Sequence, residues 1–218
     1  MLASVGAIRK KQKERSKNIQ NGTSQAKPKY FNPVQWKIFK KAVGPDLKFE
    51  TMFRLACAGC MRVGEISMLE VKHLGWDEMG RLKLTIPPEN TKGGYSGREL
   101  VMDGGIPLKV KQYLNMFKIK DGFVFRSGYR RKTNPYSDRA IRKAFKKYTL
   151  AAELPEELAH PHTLKHTGII FRILMGRPLP TIMHDSGHNS LKMIEQVYGR
   201  IVAEDRLTDL QFSGDEIF

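Results

Sequence analysis

The spacing of apolar residues changes near the middle of this chain, and that change constrains the fold more than any other feature. Over residues 34–43 and again over residues 49–56, apolar side chains recur at the interval of a helix face. Over residues 82–86 they alternate with polar residues, which indicates a β-strand, and strand character resumes at residues 99–102 after a glycine-rich turn. Helical spacing then returns. The sequence therefore predicts a mainly α-helical fold with one small antiparallel β-sheet, an α+β class.

Capping signals predict where the helices begin and end. Asn32 followed by Pro33 is a typical helix start, and Gly44 predicts the end of that helix. A second helix is predicted to end near Gly59, which leaves Arg62 in a turn before a short third helix. Further helices are predicted at about residues 107–117, 137–150, from 162 onward, 179–185 and 190–198.

The charge balance indicates the class of partner. Lysine and arginine number 38 against 22 aspartates and glutamates, for a formal net charge of +16. Such an excess favours a polyanion, because bound phosphates release their counterions. Double-stranded DNA is the first candidate, and a merely solvated basic surface or an anionic membrane surface are the alternatives. No apolar stretch approaches the roughly 18 residues of a membrane span, and residues 1–9 do not resemble a signal peptide. We expect a cytoplasmic, DNA-associated protein.

Composition divides the chain into three segments. Residues 1–30 are strongly basic and predict a flexible arm, which either lies along DNA or remains a solvated tail. Residues 31–202 hold the helices and strands of the main domain. Residues 203–218 combine acidic with apolar side chains, which is typical of a tail that docks on a surface; a frayed end is the alternative.

The two cysteines, Cys57 and Cys60, are separated by two residues. Structural zinc usually requires four ligands, and the surrounding sequence lacks a thioredoxin-like pattern. Small neighbouring residues favour two buried thiols on a helix instead. We expect neither a metal nor another cofactor.

A set of basic and imidazole residues followed by one tyrosine carries the chemical signal. The set comprises Arg62, Lys92, His162, Lys165, His188 and Tyr198. A phenol, with a pKa of about 10, is a poor nucleophile at neutral pH unless a base or a cationic field assists it. Guanidinium and imidazole donors stabilise the charge that accumulates on a phosphorane, and a lysine can protonate the departing oxygen. The set therefore supplies the groups that tyrosine attack on a DNA phosphate requires.

Each residue of this set also has an ordinary structural explanation. The histidines and Arg62 can cap helices, the two lysines can be solvated surface residues, and Tyr198 can be a core aromatic. Arg62 can also pair with Glu65. These separate explanations do not account for the order in which the six residues occur.

The surrounding motifs resemble those of the tyrosine recombinases, the phage integrase family, over about residues 32–201. His162 begins His-Thr-Leu-Lys-His-Thr, which is similar to that family's His-x-Leu-Arg-His-Thr signature, and His188 lies in Ser-Gly-His-Asn-Ser, similar to Leu-Gly-His-x-Ser. Arg62, in Arg-Val-Gly-Glu-Ile, resembles the first catalytic arginine in its context. Lys92, in Thr-Lys-Gly-Gly, resembles the lysine of the β-hairpin, and Tyr198 matches the nucleophile.

The resemblance implies a site-specific recombinase or integrase of a virus, plasmid or other mobile element, which uses neither ATP nor metal. Tyr198 would attack a DNA phosphate and form a 3′-phosphotyrosyl bond, freeing a 5′-hydroxyl. Three residues would hold the phosphate: Arg62, Lys165 and His188. His162 would handle the phenolic proton, and Lys92 would protonate the leaving oxygen. The family exchanges strands in a tetramer on two DNA sites, so a homo-tetramer on DNA is expected.

Three features depart from the family pattern. Lys165 stands where a second catalytic arginine is usual, and lysine lacks the bidentate fork of a guanidinium. Tyr198 lies one residue further from His188 than the family spacing, which predicts a small adjustment of the helix. The family's usual N-terminal DNA-clamping domain is missing or replaced by the basic arm.

The lysine at position 165 motivates an alternative function, a DNA-binding protein of the same fold with weakened or lost catalysis. A type IB topoisomerase-like enzyme and an unrelated helix-turn-helix regulator are further alternatives. A covalent DNA adduct that requires Tyr198 separates the strand-transferring enzymes from the binding proteins.

Overall fold

The computed structural model describes residues 28–91, 97–127, 134–199 and 201. Lys92, nearly all of the basic arm and the whole acidic–apolar tail lie outside the described residues. None of the described helices is both long enough and apolar enough to cross a lipid bilayer.

Along the chain, the described residues form three α-helices, then a three-stranded sheet, then five further α-helices. Before the sheet come α1 (Pro33–Val43), α2 (Leu47–Ala58) and α3 (Val63–Ser67). The strands are β1 (Leu74–Trp76), β2 (Leu82–Ile86) and β3 (Arg98–Met102). After the sheet come α4 (Gly105–Met116), α5 (Asp138–Ala151), α6 (His162–Leu174), α7 (Leu179–Ser186) and α8 (Leu191–Ile194). The predicted fold class is confirmed.

The predicted capping of α1 is confirmed in detail. Asn32 Oδ1 accepts a hydrogen bond from the Gln35 amide at 2.8 Å, and Gln35 Oε1 accepts one from the Asn32 amide at 3.0 Å. These reciprocal bonds satisfy two amides that the first helical turn leaves without partners. Pro33 is the first helical residue, and Gly44 caps the other end.

The sheet is antiparallel in the order β1-β2-β3, with Leu84 opposite Leu100 in the register of β2 and β3. Along β2, the leucines and Ile86 are buried and the intervening Lys83 and Thr85 are exposed, which confirms the predicted alternation. One face of the sheet therefore joins the core. Strand β3 also contacts α7, which brings the sheet to the helices that carry the histidine motifs.

An aromatic cluster joins α1, α2, α5 and α6 at the centre of the domain. Its members are Phe31, Trp36, Phe39, Phe53, Phe145 and Phe171. Close packing of α2 against α6 depends on Gly168, because a Cβ at that position would clash with the Cys57 carbonyl oxygen. This packing sets the first turns of α6 beside the segment that follows α2.

The two cysteines are free and fully buried, as the sequence predicts. Cys60 lies two residues after α2 in a left-handed conformation with φ of 46°, and its sulfur accepts a hydrogen bond from Arg172 Nη1 at 3.0 Å. Arg172 also donates to the Ala58 carbonyl. These bonds tie the end of α2 to α6 immediately before Arg62.

Candidate active site

Arg62 is the residue immediately before α3 and pairs with Glu65 in the first turn of that helix. Its backbone amide donates to Glu65 Oε2 at 2.7 Å and its Nη1 donates to Oε1 at 3.1 Å. Arg62 is thus the N-terminal cap, and the interaction that the sequence offered as an ordinary explanation is present. The Glu65 side chain is 1% exposed, whereas that of Arg62 is 27% exposed. Glu65 therefore anchors a guanidinium that still reaches the surface.

Arg98, the first residue of β3, lies on the other side of the same carboxylate. Its Nη1 and Nη2 donate to Glu65 Oε1 and Oε2 at 3.1 and 2.8 Å, a bidentate pair. Burial alone raises the pKa of Glu65, but the hydrogen bonds and charge of Arg98 outweigh it and hold that pKa below its ordinary value. A charged carboxylate between two guanidiniums leaves a net positive charge at this point.

Arg98 also joins the sheet to the end of α7. Its Nε donates to the Asp185 carbonyl at 2.8 Å. Gly187 follows α7 with φ of 62°, and a Cβ there would lie 3.0 Å from Arg98 Nη1 and 3.8 Å from Arg62 Nη1. Glycine is needed both for the left-handed turn and for the approach of the guanidiniums. No motif in the sequence marks Arg98, so its place in this site was not predicted.

Lys165 lies on α6 and is only 2% exposed, so its interpretation as a solvated surface residue is wrong. Its ammonium donates to the Ser186 carbonyl at the end of α7. Burial lowers the pKa of Lys165 to about 8, and the nearby Arg62 contributes to this shift. A buried ammonium beside a guanidinium is an electropositive site for an anion.

His188 is oriented by Ser186. The Ser186 hydroxyl donates to the Ile182 carbonyl at 2.6 Å, and its oxygen lies 2.7 Å from His188 Nδ1. Because the single hydroxyl proton is already used, Nδ1 is the donor in the second contact and Nε2 carries the lone pair. Burial, then the charges of Lys165 and Arg62, lowers the pKa of His188 to about 3. The imidazole is therefore neutral before an anion arrives.

Three histidines line up along the start of α6. The His160 ring stacks on the His162 ring with centroids 5.6 Å apart, and the His162 and His166 centroids are 5.9 Å apart on successive turns. Burial, followed by the charges of His160 and Lys165, lowers the pKa of His162. Nη1 of Arg142, on α5, lies 3.0 Å from Nε2 of His160.

Tyr198 lies in a π-helical turn, Glu195–Gly199, that continues α8. A π-turn accommodates one residue more than an α-helical turn. The predicted helix adjustment at Tyr198 is therefore confirmed. The side chain is 2% exposed, and its hydroxyl lies 2.7 Å from His166 Nδ1. Burial raises the pKa of Tyr198 above its ordinary value.

Five of the six predicted site residues thus lie in one region of the molecule. The Tyr198 ring centroid is 6.2 Å from that of His188, and the cations Arg62 and Lys165 both lower the pKa of His188. A cavity of about 270 Å³ opens beside Arg62 and is lined by Thr91, Arg142 and His162 among others. Lys92, the residue after Thr91, lies outside the described residues.

The exposed face of α5 is basic and adjoins this cavity. Ile141, Ala144 and Phe145 of α5 face the core, whereas its basic residues are all exposed: Arg139, Arg142, Lys143, Lys146 and Lys147. Arg142 lines the cavity and contacts His160 as well. The helix therefore continues the positive surface outward from the candidate site.

Comparison with known proteins gives the same family and the same fold. The phage integrase family model matches residues 38–204, whereas no curated protein has a significant match to the chain. The fold is similar to that of XerA recombinase, with a TM-score of 0.67 at 16% identity, over 86% of this chain and 68% of that one.

Two DNA complexes share the fold as well. XerH site-specific recombinase bound to difH substrate gives a TM-score of 0.67 at 17% identity, over 83% of this chain and 52% of that one. A lambda integrase dimer bound to a COC′ core site gives a TM-score of 0.60 at 15% identity, over 81% of this chain and 49% of that one. The chain therefore spans about half the length of these two relatives.

Proposed function

Since the chain belongs to the phage integrase family, we propose that it is a site-specific recombinase or integrase that cleaves and rejoins DNA strands. In this proposal Tyr198 forms a 3′-phosphotyrosyl intermediate with the cleaved strand. The observation that carries the proposal is the convergence of Arg62, Lys165 and His188 on the region that holds Tyr198.

The scissile phosphate binds where the positive charges meet. Arg62 is held by Glu65 yet remains partly exposed, so its guanidinium reaches the phosphate without losing its anchor. The ammonium of Lys165 is buried and shielded from solvent. An ion pair between this ammonium and the phosphate is therefore stronger than the same pair in water. Positively charged donors fixed beforehand stabilise the extra charge of the phosphorane.

The negative charge of the bound phosphate also changes the histidines. Burial, and then the neighbouring charges, lower the pKa of His188 and His162 in the unbound protein. A phosphate opposes that effect, because an anion favours the protonated imidazole. His188 then donates to a non-bridging oxygen through Nε2. His162 remains available for proton transfer, and Lys92 protonates the leaving 5′ oxygen.

DNA binding draws on the basic face of α5 and on the net charge of +16. XerH and lambda integrase have this fold and were solved on their DNA sites. Strand exchange between two such sites requires several subunits, so the active form is a homo-tetramer on DNA. The basic arm lies along the duplex, and the C-terminal tail docks on a neighbouring subunit.

Tyr198 must become accessible before it reacts, because only 2% of it is exposed. DNA binding would draw the tyrosine toward the phosphate between Arg62 and His188.

A second candidate is a DNA-binding protein with weakened or lost catalysis, which the lysine at position 165 favours. Incubation with a library of nicked duplexes, which trap covalent intermediates because the short cleaved strand diffuses away, distinguishes the two. A denaturant-resistant adduct that disappears in Tyr198→Phe supports the enzyme. DNA binding without an adduct supports the second candidate.

A further inference from the structure

His166 is the residue in direct contact with the tyrosine hydroxyl. Its Nδ1 lies 2.7 Å from Tyr198 Oη, and the two ring centroids are 5.8 Å apart. The family resemblance assigns the phenolic proton to His162, one turn earlier on α6. In the described part of the chain, no residue other than His166 is hydrogen-bonded to this hydroxyl.

The surroundings of His166 fix its protonation state. The groups that face it are His162 and Lys165 on its own helix, His160 before that helix, and Tyr198 and His188 on the segments packed against it. Burial, then the charges of His162 and Lys165, lowers the pKa of His166 to about 4. The imidazole is therefore neutral near pH 7 and has a lone pair to offer.

The direction of this hydrogen bond is set by the tautomer of His166. Tyr198 Oη has a single proton, and among the described residues His166 Nδ1 is the acceptor within reach. In the tautomer with the ring proton on Nε2, His166 Nδ1 accepts from the Tyr198 hydroxyl. This is the arrangement that a general base requires before transfer.

We propose that His166 is a catalytic residue that removes the phenolic proton of Tyr198 during DNA cleavage. This inference rests on the proposed function, because it requires Tyr198 to be the nucleophile. As Oη forms its bond to phosphorus, the proton moves from Oη to His166 Nδ1. The bond between phosphorus and the 5′ oxygen breaks, and that oxygen takes a proton from the Lys92 ammonium.

Rejoining reverses the transfers. The 5′-hydroxyl gives its proton to Lys92 while it attacks the phosphotyrosine, and His166 returns its proton to the departing phenolate. The negative phosphate near Lys165 and His188 favours protonated His166 during the intermediate, because it offsets the cations that lower the pKa in the unbound protein. Proton balance is therefore restored at the end of each cycle.

The test measures the single-turnover rate of covalent adduct formation with His166→Asn, an amide that can still hydrogen-bond to Tyr198 but cannot accept its proton. The exposed His184, which pairs with Asp185, provides the matched control His184→Asn. We expect His166→Asn to lower the rate by about 10²-fold, as loss of a general base does, and His184→Asn to leave it unchanged. DNA affinity should be the same for both.

Two further measurements separate proton transfer from a structural role. Added imidazole should raise the rate of His166→Ala in proportion to its neutral form and should have no effect on His184→Ala. A bridging sulfur in place of the 5′ oxygen leaves without a proton, so this substrate should not rescue His166→Asn. It should rescue Lys92→Ala, whose defect is protonation of the leaving group.

The inference is overturned if His166→Asn cleaves at the wild-type rate, if imidazole restores nothing, or if the bridging sulfur cures the defect. If His166→Ala unfolds below the assay temperature, the inference is tested with His166→Asn alone. Its cleavage rate is then compared between the ordinary phosphodiester and the substrate with the bridging sulfur. A wild-type protein that forms no adduct at all refutes the proposed function itself, which is a different result.

Discussion

Raising the pH from 7 to 9 should slow DNA cleavage through the loss of one charge, that of Lys165. The pKa of this buried ammonium is about 8 in the unbound protein. About nine tenths of the molecules carry the charge at pH 7 and about one tenth at pH 9, so the competent fraction falls about tenfold. The histidines add nothing to this fall, because their pKa values are lowered below the ordinary range and they stay neutral from pH 7 upward.

The assay is the rate of covalent adduct formation on a nicked duplex at subsaturating DNA, where the ionisation of the free protein governs the rate. At saturating DNA the fall should begin at a higher pH, because the bound phosphate favours the ammonium. Lys165→Arg is the matched control, since a guanidinium remains protonated throughout this range. Its rate should equal or exceed that of the wild type and stay level to pH 9.

Lys165→Ala should abolish measurable cleavage, since loss of one preorganised donor costs on the order of 10²–10³ in rate. Equal activity in wild type, Lys165→Arg and Lys165→Ala would rule out a phosphate contact at this position. A wild-type rate that stays level from pH 7 to 9 would also refute the reasoning, even if the alanine variant were slow.

Two other substitutions and one deletion test separate parts of the account. Arg98→Met should lower the free energy of unfolding by about 3–5 kcal/mol in urea titrations, because it leaves the buried Glu65 carboxylate without its bidentate partner; a cost below about 1 kcal/mol would argue against this anchoring. Deletion of the exposed Gln196 should return the π-turn to an α-helical turn and preserve adduct formation at Tyr198, and complete loss would contradict the role of the π-turn. Lys143→Ala should weaken DNA binding about equally for all sequences and reduce the salt slope by about 1, whereas an unchanged slope would exclude α5 from the phosphate contacts.

Local signals predicted the elements of this fold because they act over a few residues. The capping pair at Asn32 and the alternation along β2 specify their structures within one turn or one strand. The motif order likewise predicted the cluster of Arg62, His188 and their partners. Even the extra residue before Tyr198 was visible as a change in spacing, although a π-turn is only one of the ways to accommodate it.

The contacts that spacing did not predict are those between distant segments. Arg98 meets Glu65 across the sheet and reaches the end of α7, and no pattern along the chain marks a buried arginine at the start of β3. A solvated lysine was the ordinary alternative for Lys165, and it fails because the packing of α6 against the end of α7 buries the side chain. Spacing along the chain does not single out His166 either, because its contact with Tyr198 depends on where the tyrosine lies in space.

The central claim is that one phosphate is held by Arg62, Lys165 and His188 in front of Tyr198. A crystal structure of the Tyr198→Phe protein on a duplex selected by covalent capture tests it most directly. The account predicts a single phosphate within hydrogen-bond reach, about 3 Å, of all three residues, with the ring at position 198 facing its phosphorus. A structure in which Arg62 and His188 bind different phosphates, or no phosphate, would contradict it.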